Sequence, residues 1–311
     1  MKCMAAPRSR RAPVPLLRAD PPEHSKKPVT VRAIHANAGV AAWYYERLER
    51  LLADMHSEAE RDLLAAYAEI CEEPEFAQDA ANPALLIRAA LRKWGLKWIS
   101  KFDAVSVELA QKFAGKSFGV TQTALRAALK DAGFTVTFAP TPASRAAYQA
   151  VVAEQVNLIK SIPQEYLKDV QSKVWSSVMK GADMHALSVD LRKTYGITRD
   201  RAATISRDQN NKAKAVIERT RRQELGITHA VWQHSAGGKV PRRTHVAMSG
   251  KSYPLSQGMW DSAEDKYVFP GELINCRCTS RAVIPAFETI EQAKRRSPET
   301  PLLRAAERRS R

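Results

Sequence analysis

The sequence lacks most of the features that mark several large classes of protein. Its 311 residues include four cysteines, too few for a disulfide-stabilised scaffold of this length. No apolar run approaches the ~18–20 residues that a membrane-spanning helix needs. The basic N-terminal segment also lacks the apolar stretch of about 7–15 residues found in a secretory signal. We therefore expect a soluble, intracellularly made protein of about two domains at ~150 residues each.

Common catalytic motifs are also missing. The sequence contains no Gly-x4-Gly-Lys-Ser/Thr loop for phosphates, no His-Glu-x2-His zinc motif and no Gly-x-Ser-x-Gly nucleophile turn. These absences argue against three widespread types of hydrolase. A helical protein with few obvious catalytic groups fits a role in docking on other proteins.

Positive charge is plentiful but unevenly placed. The chain has 49 Lys and Arg residues against 33 Asp and Glu residues, which gives a net charge of +16. Residues 1–33 contribute +6 and residues 288–311 contribute +3, so nine of the sixteen excess charges lie in segments that prolines keep from regular helix. These segments are predicted to be basic tails, which either contact nucleic-acid phosphates without reading the base sequence or are solvated and keep the protein soluble.

The middle of the chain shows the apolar spacing of amphipathic helices. Thr121 and Thr198 are predicted N-caps, and Gly133, Gly196 and Gly226 are predicted to end or break helices. We place Trp94, Trp98 and Phe102 in the core, because an apolar stripe of aromatic residues packs inside more often than it stacks on bases. The predicted helices cover residues 44–70, 85–113, 122–131, 144–162, 164–179, 184–195 and 199–225.

After Gly226 the pattern changes to glycines and short alternating segments, which are typical of strands. Strands are predicted at residues 229–233, 267–269 and 279–284, and a further short one at 134–138. The fold class is therefore mainly α, with a helical body followed by a small α+β domain. We divide the chain into a basic Pro-rich tail (1–38), a helical body (39–226), the α+β domain (227–287) and a second basic tail (288–311).

The small C-terminal domain concentrates the reactive side chains. A domain of roughly 60 residues often needs a structural metal, and zinc is bound by Cys and His. His234, His245, Cys276 and Cys278 form a possible zinc set of suitable number and type. Cys-x-Cys is tighter than the usual spacing, although two such residues on a strand point to the same face. Buried thiols that hydrogen-bond to histidines are the simpler alternative.

A catalytic role of the same residues is an alternative hypothesis. Cys276 could act as a nucleophile with His245 as its base, oriented by Asp261 or Asp265. Nothing in the spacing selects this arrangement, and we expect no enzymatic activity.

Residues 184–214 allow a further alternative, a DNA-reading helix-turn-helix around Gly196. Residues 191–223 carry a net charge of +7, which favours contact with nucleic acid. Residues 208–211, Asp-Gln-Asn-Asn, are however more typical of a polar interface between helices than of a groove-reading surface.

Short motifs follow one another in a distinctive order across residues 199–285. The last of them combines Pro270-Gly271 with Asn275-Cys276-Arg277-Cys278. This order resembles the Mu F-like family of phage head morphogenesis proteins, and weaker similarity extends upstream to about residue 90. The residues that carry the resemblance are Arg207, Asp208, Gln209, Trp232, His234, Arg242, His245, Gly250, Pro270, Gly271, Asn275, Cys276, Arg277 and Cys278.

The resemblance implies a minor capsid protein of a tailed phage. Such proteins act in procapsid assembly and associate with the portal and major capsid proteins. We accordingly expect a virion protein at the capsid interior or portal vertex, assembled in the bacterial cytoplasm, with its basic tails near packaged double-stranded DNA. Two other functions stay open: a non-specific DNA-binding protein of packaging or ejection, and a Cys/His enzyme.

Overall fold

A computed structural model describes residues 28–72, 83–179, 184–237 and 240–284. Most of both predicted tails, at residues 1–27 and 285–311, and Gly238 and Lys239 lie outside the described residues. The helices are α1 (Ala38–Glu72), α2 (Pro83–Asp131), α3 (Pro142–Met179), α4 (Met184–Glu224) and α5 (Arg243–Met248). The strands are β1 (Val29–Thr30), β2 (His229–Gln233), β3 (Ser252–Pro254), β4 (Met259–Asp261), β5 (Lys266–Val268) and β6 (Thr279–Ile284). The predicted mainly α class with a small C-terminal sheet is confirmed.

The four long helices pack around one apolar core. Leu48 and Leu52 of α1, Phe102 of α2 and Val170 of α3 are fully buried in it. Trp98 packs edge-on against Phe102 with ring centroids 6.4 Å apart. The Trp94 indole N–H donates to the carbonyl of Met55 at 3.2 Å. The aromatic stripe of α2 is therefore core, as predicted, and offers no platform for bases.

Two predicted breaks in the later helices are wrong. α4 runs through Gly196 without interruption, and Thr198 donates to the carbonyl of Thr194 at 3.0 Å instead of capping a new helix. α3 likewise runs through Pro163, which is buried in the bundle between Ile162 and Tyr166. In both places tertiary packing outweighs a local penalty that is about 1 kcal/mol for Gly and about 3 kcal/mol for Pro.

The predicted break before Thr121 is also wrong. Thr121 is buried within α2, so it is no N-cap, and the helix continues to Asp131. Beyond Gly133 the predicted strand at residues 134–138 is absent, and only Thr135 forms an isolated bridge. Phe134 and Val136 are buried against the C-terminal core, so their alternation reflects burial in a segment that is not one of the strands of the sheet.

The C-terminal domain is built on a four-stranded antiparallel sheet in the order β1-β6-β2-β3. The predicted strands at 229–233 and 279–284 are confirmed, and they pair from His229↔Val283 to Gln233↔Thr279. β4 and β5 form a separate hairpin, one residue earlier than predicted for β5. Three short strands were not predicted, because two or three residues are too few to show alternation.

β1 corrects the predicted extent of the N-terminal tail. Val29 pairs with Ile284. The nearby Val31 and Ile34 are buried in a second apolar core, which lies under the C-terminal sheet. The predicted tail at residues 1–38 therefore includes a part that packs on the sheet, because apolar residues follow the last prolines. No helix in the described part of the chain is long and apolar enough to cross a membrane.

The helical body and the C-terminal domain share this second core. Leu125 and Leu129 at the end of α2 pack in one cluster with Trp232 of β2 and Ala282 of β6. α4 ends as predicted at Gly226, whose φ of +76° allows the Ile227 N–H to donate to the carbonyl of Arg222 at 3.0 Å. The C-terminal sheet is thus held directly on the ends of α2 and α4.

Candidate functional site

Three of the predicted reactive residues meet at the centre of the C-terminal domain. The Sγ atoms of Cys276 and Cys278 and a ring nitrogen of His245 all lie within 4.8 Å of one another. His245 Nδ1 is 3.4 Å from Cys276 Sγ and 3.6 Å from Cys278 Sγ. All three side chains are buried. The described part of the chain has no other group of this kind.

The local backbone brings the two cysteines to face the histidine. His245 lies on α5, and Trp232 of β2 packs edge-on against its ring at 5.1 Å. The loop before the cysteines turns at Gly271, which has a φ of +85°, and its N–H donates to Cys276 Sγ at 3.4 Å. A Cβ atom at Gly271 would lie 3.2 Å from Ala215 Cβ, so this position favours glycine both for its angle and for its contact with α4.

Asp208 of α4 holds the same loop from the other side. Its Oδ1 accepts the N–H of Asn275 at 2.7 Å, and its Oδ2 lies 3.0 Å from Lys212 Nζ. Asn275 adopts a φ of +59°, a conformation that Asn tolerates better than most residues. The buried carboxylate of Asp208 therefore fixes the backbone that leads into Cys276.

Asp261 is the carboxylate beside His245. Its Oδ2 lies 3.1 Å from His245 Nε2, and none of its surface is exposed. Burial opposes the ionisation of Asp261, but the N–H of Ala263, the Thr244 hydroxyl and His245 together hold the pKa of this carboxyl below its usual range. Of the two predicted acids, Asp265 lies instead in the exposed turn between β4 and β5.

The two thiols titrate as a pair. A hydrogen bond from Cys278 favours the thiolate of Cys276, and this outweighs burial and lowers the pKa of Cys276 well below the ordinary value. The same interaction and burial raise the pKa of Cys278. Donors from His245 and the Gly271 N–H also favour the Cys276 thiolate. The thiolate form is thus favoured at Cys276 and the thiol form at Cys278.

A small pocket opens above these residues. Its volume is about 40 Å³, and its wall includes His234, Arg242, Arg277 and the three clustered side chains. Arg242 donates to the carbonyl of Ile274 at 3.1 Å, and Arg277 donates to the carbonyl of Gly237 at 2.8 Å. His234, the fourth predicted ligand, is therefore on the pocket wall but outside the close cluster.

A buried ion network next to the site was not predicted. Glu218 of α4 pairs with Lys214 at 2.6 Å and with Arg222, and all three side chains are at most 6% exposed. Arg222 also donates to the hydroxyl and the carbonyl of Ser280 at 2.8 and 3.0 Å. The i, i+4 spacing of Lys214, Glu218 and Arg222 is visible in the sequence, but charged residues at this spacing are also common on exposed helix faces.

The structure of α4 contradicts the helix-turn-helix alternative. α4 is one continuous helix through Gly196, so there is no turn to present a second helix. Three of the ten basic residues that gave residues 191–223 their charge, Lys214, Arg221 and Arg222, are buried in ion pairs. These three charges are therefore used inside the protein and are not available to DNA, and Arg222 joins α4 to Ser280 of the sheet.

Comparison with known proteins agrees with the arrangement of these motifs. The sequence model of the family described as Phage Mu protein F like protein matches residues 168–281. The chain carries a Mu F-like segment. The resemblance expected from the motif order is confirmed for these residues, which contain the whole cluster of His245, Cys276 and Cys278 and its supports Asp208 and Asp261.

A curated relative extends the similarity beyond the Mu F-like segment. An uncharacterized protein of Haemophilus influenzae (strain ATCC 51907 / DSM 11121 / KW20 / Rd) is 28% identical over 267 residues, which is 82% of this chain and 55% of the relative. The chain thus spans about half the length of this relative. No solved structure matches the chain.

The motif residues of the Mu F-like segment have distinct structural places. Trp232 lines the cluster, and the Gly250 N–H donates to its carbonyl at 2.9 Å. Gln209 accepts from Gln155 of α3 at 2.8 Å inside the bundle, whereas Arg207 is exposed. Pro270 is buried beside Gly271. Several motif residues, such as Asp208, Gly271 and Asn275, therefore lie where α4 contacts the cysteine loop, whereas Gln209 and Arg207 lie outside this contact.

Proposed function

We propose that the chain is a minor head protein of a tailed phage that acts in procapsid assembly at or near the portal. The match of residues 168–281 to the Phage Mu protein F like family carries this proposal. The family points to phage head morphogenesis, so the role is structural and the chain works in the virion. The portal and the major capsid protein are the proposed partners.

The architecture supports a protein that docks on others. Most of its described residues form a long helical bundle, and buried polar side chains such as Gln155 and Gln209 hydrogen-bond between helices. Trp260 and Tyr267 on the β4–β5 hairpin are about half exposed and contact each other with ring centroids 5.3 Å apart. Trp and Tyr are enriched where proteins bind each other, so this pair is a suitable first site for mutation.

The basic segments support a second part of the proposal, contact with packaged DNA. Such binding would rest on phosphates, because α4 is continuous through Gly196 and forms no helix-turn-helix there. It should then weaken steeply as salt rises, since each neutralised phosphate releases condensed counterions. A DNA affinity of the full chain that stays constant with salt would contradict this part.

The assembly role can be tested on particles of the phage or prophage that encodes the chain. Quantitative mass spectrometry of purified procapsids and virions should detect the chain at a small fraction of the major capsid protein. A Trp260→Ala, Tyr267→Ala variant should be incorporated less, and Val189→Ala, which trims an exposed side chain of α4, serves as the matched control. Absence of the unmodified chain from both kinds of particle would refute the proposal.

A further inference from the structure

The cluster of His245, Cys276 and Cys278 has a geometry that the head role does not require. We propose that these three residues bind a zinc ion through His245 Nδ1 and the two sulfur atoms, with the fourth coordination position open to the pocket. The inference is independent of the proposed function, since it rests on side-chain positions alone.

The distances in the cluster suit a tetrahedral zinc site. With Zn–S bonds of about 2.3 Å and Zn–N bonds of about 2.0–2.1 Å, a tetrahedral ion separates nitrogen from sulfur by roughly 3.6 Å. His245 Nδ1 lies 3.4 and 3.6 Å from the two sulfurs. A simple thiol–imidazole hydrogen bond needs only one sulfur near the nitrogen. The near-equal distances are therefore better explained by an ion shared among the three atoms.

The residues around the cluster are those that a metal site needs. Metal-bound histidines usually present their other ring nitrogen to a carboxylate, which fixes the tautomer. Asp261 occupies this position beside His245 Nε2 and is fully buried. It would hold the proton on Nε2 and leave the Nδ1 lone pair directed at the sulfurs.

The sulfurs also face N–H donors, which stabilise negative charge on metal-bound thiolates. The Gly271 N–H points to Cys276 Sγ at 3.4 Å. The buried indole nitrogen of Trp232 has no well-aligned acceptor among the described residues and interacts with the sulfur of Cys278. An indole N–H buried without an acceptor is costly, and a thiolate beside it removes that cost.

Two thiolates and an imidazole select zinc over harder ions. Calcium and magnesium prefer oxygen ligands, whereas thiolates favour soft or borderline metals. His234 lies on the pocket wall but outside the cluster, so water is expected to complete the coordination in the pocket of about 40 Å³. That volume exceeds the ~10–15 Å³ needed for one water.

The competing use of these atoms is a Cys–His–Asp catalytic set. Cys276, His245 and Asp261 do lie in that order. However, Cys276 is only 3% exposed, and Nδ1 is shared with a second sulfur that a nucleophile and its base would not need. A zinc ion would hold Cys276 as a bound thiolate and protect it from alkylation.

The test uses the full chain, purified under reducing conditions without chelator and dialysed after incubation with zinc sulfate. Elemental analysis should give about one zinc per chain. Cys276→Ser, Cys278→Ser and His245→Asn should each lose it, and Cys3→Ser with Cys71→Ser serves as the matched cysteine control that keeps it. His234→Ala should also keep one zinc. Loss of zinc in that variant would overturn the open fourth position.

A second measurement separates metal binding from loss of folding. Cobalt(II) in place of zinc should give thiolate-to-metal charge-transfer absorption and intense tetrahedral d–d bands. Asp261→Asn should keep these bands but bind zinc about 10–100-fold more weakly. No zinc in the reduced unmodified chain would overturn the proposal. So would alkylation of Cys276 by iodoacetamide at the same rate with and without zinc.

Discussion

Replacing Glu218 by Gln should be strongly destabilising, because this carboxylate lies between two buried cations. Its Oε2 is 2.6 Å from Lys214 Nζ, and its other oxygen pairs with Arg222. Glu218→Gln removes the negative charge but keeps the shape of the side chain. Breaking a buried pair by removing one partner costs about 3–5 kcal/mol, because the remaining charge is left without compensation. That loss is a large part of the free energy of unfolding, which is about 5–15 kcal/mol for most folded proteins.

Urea unfolding followed by circular dichroism measures this loss. With an m value of about 3 kcal/mol/M, the midpoint should move down by roughly 1–1.7 M. Glu46→Gln is the matched control, since Glu46 and Arg50 form an i, i+4 pair at 2.8 Å that is exposed on both sides. Exposed pairs contribute about 0–1 kcal/mol, so the control should unfold near the unmodified protein.

Lys214 provides a second arm of the same experiment. Burial lowers the pKa of Lys214, and Glu218 opposes that change. Without Glu218 the pKa should fall further. The unfolded chain then binds more protons between this lowered pKa and the ordinary value of about 10.4, so the stability of Glu218→Gln should rise with pH in that window. Adding Lys214→Met should restore part of the stability at pH 7. A loss below 1 kcal/mol in Glu218→Gln, or further destabilisation by Lys214→Met, would refute this account.

Three further predictions concern single contacts. Asp208→Ala removes the charged acceptor of the Asn275 N–H and should cost about 1.5–3 kcal/mol in urea unfolding, with faster hydrogen exchange in the cysteine loop; unchanged exchange would argue against a role in holding it. Asn275→Ala should cost about 1 kcal/mol because of its positive φ, whereas Asn275→Gly should be nearly neutral; equal effects of both would point to the lost side chain instead. Burial lowers the pKa of His56, although Glu60 opposes this. As the pH falls, the histidine is therefore protonated first in the unfolded chain, and the free energy of unfolding should decrease from pH 7 to 5.5. His56→Gln should reduce this decrease, and an identical pH profile of the variant would contradict the prediction.

Patterns that persist over many residues predicted the fold well. The seven predicted helices lie along the four long helices of the structure, and the stops at Gly133 and Gly226 and the two longer strands at 229–233 and 279–284 agree with it. Local breakers misled where packing decides the outcome. Gly196 lies within α4, next to Tyr195. The Tyr195 ring stacks on His56 with ring centroids 4.5 Å apart, and its hydroxyl donates to Glu49 at 3.0 Å. These contacts hold the helix across a residue that would end it in isolation.

The site could be predicted as a set of residues but not as a geometry. Cys-x-Cys and the upstream histidines indicated metal or thiol chemistry, and the structure brings His245, Cys276 and Cys278 together while His234 stays on the pocket wall. Asp261 was one of two candidates, because sequence distance does not show which acid the β4–β5 hairpin places beside the ring. The support from Asp208 spans 67 residues of sequence and depends on the packing of α4 against the loop.

The pairing of β1 with β6 has a consequence for how the chain presents its ends. Val29 lies opposite Ile284, so the first and the last strand of the described residues are neighbours in the sheet. Residues 1–27 carry seven basic and two acidic side chains, and residues 285–311 carry seven and four, which together make half of the net charge of +16. The residues to which these two segments are joined, at the start of β1 and the end of β6, are therefore neighbours in the sheet. For the proposed contact with DNA, two basic segments joined to adjacent strands would bind as a linked pair.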